Sequence, residues 1–318
     1  TPRPSRRYAL RSLNLDHNQL DEVPDDFWKL TSLTHLRVDS NNLDAMPASL
    51  WQRTNLKTLM LDRNNLSDLP PEWKALQRLS TLTLSRNDFE RVPDCVWAMH
   101  FLKILHLHQN RIPEIAAQIV QLAKLQDLNY SANLLTEIPA FIRKLKHLQK
   151  FDVSKNEIPV LCPEVGALTE LKELSVAKNL LHFLPETLAS CVQIQKLQLN
   201  ANKLSYLPHD ITNLTTLTVL DIRDNAFTAI APQLGRLSCI TDLRMDGNEI
   251  RTPPAYVCDM ETKAVLRFLD RLDVAALTAE LDLTNLTVPK ERTLIRQAPA
   301  LPSAPSLSLF GAAVTQCI

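Results

Sequence analysis

An asparagine returns every 23 residues: Asn18, Asn41, Asn64, Asn87, Asn110, Asn133, Asn156, Asn179, Asn202, Asn225 and Asn248. One polar residue held at a fixed spacing this often points to a stack of equivalent coils rather than one irregular core. Around each Asn the apolar residues keep the frame L-x-x-L-x-L-x-x-N-x-L, as in Leu33, Leu36, Val38, Asn41 and Leu43, or with isoleucine opening it in Ile194, Leu197, Leu199, Asn202 and Leu204. The L-x-L alternation makes a short strand with its leucines facing inward, after which the chain turns away while its backbone amides still need partners. Asparagine carries both a donor and an acceptor. Stacked copies are expected to bond the backbone of adjacent coils in a continuous ladder inside a narrow apolar interior.

This frame is that of the leucine-rich repeat, in eleven copies over residues 10–260. It predicts an α/β solenoid: a curved horseshoe with a parallel sheet on the concave side and short helical segments on the convex side. Six residues past the Asn stands a proline in most repeats, from Pro24, Pro47 and Pro70 to Pro254, replaced by Ala116, Cys162 and Ala231. Its fixed φ suits the first turn of a helical segment. Apolar residues follow three and six positions later, as Ile142 and Leu145 or Ile211 and Leu214, which is the spacing of one buried helical face; Arg53 breaks that column. Trp28, Trp51 and Trp97 share the column ten past the Asn, one beyond Trp73. Packing between neighbouring convex segments is the expectation for them, with an apolar interaction strip as the alternative.

With 35 basic and 35 acidic residues the chain has no bulk attraction for nucleic acid or an anionic membrane. Nor does it contain 18 consecutive apolar residues or a signal-peptide core, although it opens on Thr1, which weakens the second point. Cys95, Cys162, Cys191, Cys239, Cys258 and Cys317 are scattered with no C-x-x-C or C-x-C cluster, which fits a reduced, cytoplasmic chain. Three glycosylation sequons, at Asn65, Asn213 and Asn285, arise easily in an Asn-Leu-rich repeat.

The 23-residue frame with L-P-x-x-I/V-x-x-L resembles the intracellular repeats of the Ras-suppressor and Scribble-type Ras-group scaffold family. The likeness continues through "LRMDGNEIRTPPAYVCDMETKAVLRFLDRL", residues 243–272, where Ala264, Leu266, Phe268 and Leu269 stand on the helix that usually closes such arrays. By position, residues 1–9 read as an incomplete N-terminal cap, too short and polar to shield Leu10, Leu13 and Leu15, so an upstream segment or a partner is expected there. Residues 261–280 read as a C-terminal capping helix, 281–297 as the start of a further repeat or a linker, and 298–318 as a disordered Pro/Ser-rich tail.

Side chains that the frame leaves free lie six, four, two and one positions before each Asn and project from the concave face. The column two before Asn opens with Asp16, Asp39 and Asp62, an acidic stripe that the frame does not demand, since Ser85, Ser131 and Ala177 hold the same phase later. Arg37, Arg63 and Arg86 stand beside it, His106 and His108 follow, and Asp221, Arg223, Arg244 and Asp246 gather at the far end. This mixed charge pattern suits recognition of a protein partner. Asn129, four before Asn133, reads as one more free outward-facing residue.

Two imidazoles without a close third ligand do not make a zinc site, so no metal and no cofactor are expected. Phosphate loops, nucleophile elbows and paired-histidine metalloprotease motifs are all missing. The chain therefore reads as a non-enzymatic, monomeric scaffold with a protein partner on its concave face. The family resemblance implies a small Ras-like GTPase or a phosphatase complex as that partner. The alternative is the recognition arm of a larger multidomain GTPase, kinase or phosphatase, and a third reading is an extracellular receptor ectodomain.

Overall fold

A computed structural model describes residues 10–23 and 30–278. Eleven three-residue strands, from β1 (Ser12–Asn14) to β11 (Asp242–Arg244), form one parallel sheet in strict sequence order. The register follows from the fixed repeat length: Leu13 lies opposite Leu36, Leu36 opposite Leu59, and so on to Leu220 opposite Leu243. Strand leucines five before each Asn, and the apolar residue three before it, point into one continuous core.

The strands stay short because the residue immediately before each Asn turns left-handed. His17, Ser40, Arg63, Arg86, Gln109, Ala132, Lys155, Lys178, Ala201 and Asp224 all have φ between 52° and 57°, and Gly247 completes the series at 72°. Each non-glycine residue there costs on the order of 1 kcal/mol. The cost is offset because the turn keeps the strand ladder going, as when the Ser40 N–H donates to Asp62 O at 2.8 Å, and drives the next side chain, the asparagine, inward. Asn64 is typical. Its Nδ2 donates to Val38 O of the preceding coil at 3.0 Å and to Leu61 O of its own at 3.2 Å, while its Oδ1 accepts the Leu43 N–H at 3.2 Å. The same triangle recurs from Asn41 to Asn248; Asn18, in the first coil, makes only the bond to its own coil.

Nine five-residue 3-10 segments cover the convex side among the described residues, from Ala48–Gln52 to Pro232–Arg236. The recurrent proline sits one place earlier than its helix-start preference suggests. Pro47, Pro70 and Pro139 are caps with extended ψ whose carbonyls accept the first i to i+3 bond, while Pro71, Pro163 and Pro232 occupy the first turn. Arg53, which breaks the apolar column, is nonetheless only 5% exposed, with Nε unpartnered and its guanidinium pKa lowered by burial. The tryptophan column does not form a strip. Trp97 is buried against its neighbours, Trp51 is 40% exposed, and Trp28 lies outside the described residues.

The last coil is closed by helix α1 (Ala255–Cys258) and helix α2 (Thr262–Thr278). Val265, Leu266 and Leu269 of α2 enter the main core. The close approach depends on Gly235, where a Cβ would lie 2.2 Å from Asp270 N. Arg236 Nε pairs with the buried Asp273 at 2.7 Å, and Thr262 Oγ1 accepts the outward N–H of Leu243 on β11 at 3.1 Å. At the opposite end Leu10 is 41% exposed. The segments 1–9, 281–297 and 298–318 lie outside the described residues.

Candidate functional site

The concave sheet places Asp16, Asp39 and Asp62 side by side on consecutive coils, and each carboxylate is tied to its neighbour's backbone. Asp16 Oδ1 accepts the Asp39 N–H at 2.9 Å, Asp39 Oδ1 the Asp62 N–H at 2.8 Å, and Asp62 Oδ1 the Ser85 N–H at 2.6 Å. The N–H two before the ladder Asn points out of the sheet without a strand partner, and an acidic side chain one coil back satisfies it. Other repeats solve the same problem from within. Asn14, Asn129, Asp152 and Asp221 each accept the N–H two residues on, at 2.8, 2.8, 2.9 and 3.2 Å. The stripe therefore has a structural duty absent from the sequence reading, and Asn129 is a cap rather than a free contact residue. The signal was present in the four-before column, where Asn or Asp appears in repeats whose preceding coil offers no Asp.

The stripe's charges are incompletely offset. Arg37 Nε lies 2.9 Å from Asp16 Oδ2, and its Nη2 lies 3.5 Å from Asp39 Oδ2. Arg63 and Arg86, flanking the stripe on the left-handed turns, make no ion pair among the described residues. Burial, followed by repulsion from Asp62 and Asp16, raises the Asp39 carboxyl to about 6. Next to the stripe, Thr83 Oγ1, Ser85 Oγ and His108 Nδ1 are buried with no hydrogen-bond partner. Burial also lowers the His108 pKa.

A folded pKa above the unfolded value means that Asp39 contributes stability fully below about pH 4, and that this is lost as pH rises through about 6. Asp39→Asn keeps an oxygen for the Asp62 N–H and removes the charge. It is expected to raise stability by ~1–3 kcal/mol at pH 7.5 and to change little at pH 4. Urea midpoints at both values check this; a variant less stable than the parent at pH 7.5 contradicts the frustrated-stripe description.

Farther along the face the charges pair among themselves. His106 Nε2 is 3.2 Å from Asp127 Oδ1, and Lys150 Nζ is 2.8 Å from Glu173 Oε1. These side chains, with Asp152, Ser175 and Lys196, line a shallow polar depression. At the far end Asp221 is 1% exposed and held by Arg223 Nε and Nη2 at 2.9 and 2.6 Å, while Arg244 grips Asp242 with Nε at 3.0 Å. Asp246 takes no part in those pairs. Among the described residues no three His, Cys, Asp or Glu side chains converge as a metal set. No described helix is long and apolar enough to cross a membrane, and Cys95, Cys162, Cys191, Cys239 and Cys258 are unpaired.

The leucine-rich repeat family profile matches residues 5–43, 54–112 and 146–204. No curated protein sequence matches the chain. Among solved structures, a leucine-rich repeat protein of Leptospira interrogans is 26% identical with a TM-score of 0.70, over 86% of this chain and 72% of that one. The repeat ectodomain of the plant membrane receptor kinase GASSHO1 from Arabidopsis thaliana, in complex with Casparian strip integrity factor 2, is 28% identical with a TM-score of 0.66. That match covers 76% of this chain and 30% of the receptor chain. A TDR receptor is 27% identical with a TM-score of 0.69, over 76% of this chain and 44% of that one. The chain is thus a curved leucine-rich repeat solenoid, a fold that generally mediates protein–protein interaction.

Proposed function

We propose that this solenoid is a non-catalytic scaffold of intracellular signalling that docks a protein partner on its concave face, with the first four repeats as the anchor. The observation that carries the reading is the acidic stripe. Of three adjacent carboxylates, Asp16 and Asp39 share Arg37 while Asp62 makes no ion pair among the described residues, and the middle one is pushed toward protonation by burial and by its neighbours. A cationic patch on a partner would supply the missing charge, and the unpaired Arg63 and Arg86 beside it would orient acidic groups of the same partner. Unpaired, scattered cysteines support a reducing, cytoplasmic setting. The resemblance of the 23-residue frame to Ras-group scaffolds makes a small Ras-like GTPase or a phosphatase complex the first partner class to test. A second reading, the recognition arm of a larger enzyme, is supported by the likeness to a repeat ectodomain whose parent is a receptor kinase.

Affinity purification with quantitative mass spectrometry compares the parent with Asp62→Asn/Arg63→Glu/Arg86→Glu, which retains the Asx acceptor for Ser85. Specific partners are expected to fall at least tenfold for the triple variant at a melting temperature no lower than the parent's. Full retention of every partner removes the concave face from the proposal.

A further inference from the structure

The loops that leave the concave sheet carry a second surface. One residue past the ladder Asn, from Asn41 to Asn225, a backbone N–H bonds the preceding coil: Leu134 to Ile112 O at 3.0 Å, Glu157 to Leu135 O at 2.9 Å, Leu180 to Ile158 O at 3.0 Å and Lys203 to Leu181 O at 2.9 Å. These loops therefore stack in register along one flank of the horseshoe, about 5 Å per repeat. Within that register, the residues four past the Asn in three consecutive repeats are Val160, Phe183 and Tyr206, exposed by 43%, 41% and 54%. Leu134 and Leu180, one past the Asn, add side chains exposed by 50% and 40%.

The fold has no need of apolar residues at these phases. In the earlier repeats the four-past column holds Glu22, Ala45, Asp68, Arg91, Glu114 and Glu137, and the one-past column is polar from Gln19 through Arg111. Five of the eleven exposed large hydrophobics among the described residues nevertheless fall in this one strip. Scattered apolar residues are ordinary on a surface, whereas a row at one phase leaves contiguous apolar area in water.

Charge indicates what would cover it. Lys155 and Lys178 stand on the adjoining inner rim, on the left-handed turns before Asn156 and Asn179, and Lys203 lies in the strip three residues before Tyr206. None of the three makes an ion pair among the described residues, and the strip's own carboxylates are Glu137 and Glu157. Phe183 and Tyr206 could stack bases, but the other three exposed side chains, Leu134, Val160 and Leu180, are aliphatic and Glu137 and Glu157 within the strip would repel a phosphate backbone, so the surface fits a protein ligand better than a single-stranded nucleic acid.

We propose that this flank, over the coils of Asn133 to Asn202, is a docking site separate from the concave face, for a segment of a protein partner that presents large apolar side chains among Asp or Glu residues. The apolar groups cover Val160, Phe183 and Tyr206, and the carboxylates pair with Lys155, Lys178 and Lys203.

A phage-displayed random peptide library, selected on the full chain, serves as the probe. The expected consensus combines at least two large apolar residues with Asp or Glu. Phe183→Ser/Tyr206→Ser is expected to weaken the selected peptides at least tenfold. Lys155→Glu/Lys178→Glu should weaken them about fivefold or more and reduce the loss of binding caused by added salt, whereas Arg63→Glu/Arg86→Glu leaves them unchanged. All these side chains are exposed or on the rim, and circular dichroism with thermal melting confirms that each variant folds. Failure to select such peptides, a basic consensus, or equal binding to Phe183→Ser/Tyr206→Ser overturns the proposal. So does oligothymidine binding, or concentration-dependent dimerisation by sedimentation, that the same double variant abolishes; the first would assign the flank to nucleic acid and the second to another copy of this chain.

Discussion

Deleting residues 261–318 is expected to make the array aggregate, while deleting only 298–318 leaves the melting temperature and the association state where they were. The longer deletion strips Val265, Leu266 and Leu269 from the main core and uncovers the apolar edge beneath them, including Leu234 and Leu237. At ~1.5–3 kcal/mol for each fully buried aliphatic side chain, those three alone contribute about 5–9 kcal/mol, an upper bound comparable with the whole stability of many domains. It also frees the Leu243 N–H on β11, which Thr262 now satisfies. The shorter deletion removes only a Pro- and Ser-rich stretch with no apolar periodicity. Gly235→Ala tests the same contact in the full chain. Its Cβ meets backbone, Asp270 N at 2.2 Å and Leu266 O at 2.7 Å, so α2 must shift, at a cost of about 2–4 kcal/mol. Light scattering after gel filtration and calorimetry report both effects. Two truncations that keep the parent's association state and melting temperature would show that α2 does not close the solenoid.

The architecture was legible because equal repeat length leaves no freedom. With 23 residues between successive asparagines, Leu36 can only lie opposite Leu13 and Leu59, and parallel order follows. The direction of a side chain within its phase was not legible. Sequence shows Asp16, Asp39 and Asp62 at one phase, but only the left-handed turns and the sheet's lateral spacing reveal that each Oδ1 reaches the next strand's N–H. Trp51 and Trp97 share a column yet differ in burial, because exposure on the convex side depends on the neighbouring coil's residues and not on phase alone. The flank with Phe183 and Tyr206 is visible in sequence once the columns past the Asn are read as well as those on the strands.

Asn133→Ala is expected to cost about 3–5 kcal/mol, several times the effect of changing an outward-facing asparagine. Asn133 Nδ2 donates to Leu107 O at 2.9 Å and to Tyr130 O at 3.0 Å, and its Oδ1 accepts the Ile112 N–H at 3.0 Å. Alanine leaves those three backbone groups without the side chain, in an interior where each unmet partner costs ~1–3 kcal/mol and relaxation recovers only part. The structure grades the controls. Asn129 accepts one N–H, from Ser131 at 2.8 Å, at the solvent-facing surface of the sheet, so Asn129→Ala should cost about 1 kcal/mol. The Asn200 side chain has no hydrogen bond among the described residues, and Asn200→Ala should stay within about 0.5 kcal/mol. Chemical denaturation of the three variants gives the order directly. An Asn133 midpoint no lower than that of Asn129 would mean that packing of the leucines holds neighbouring coils together, with the asparagine ladder carried along as a by-product of the turn.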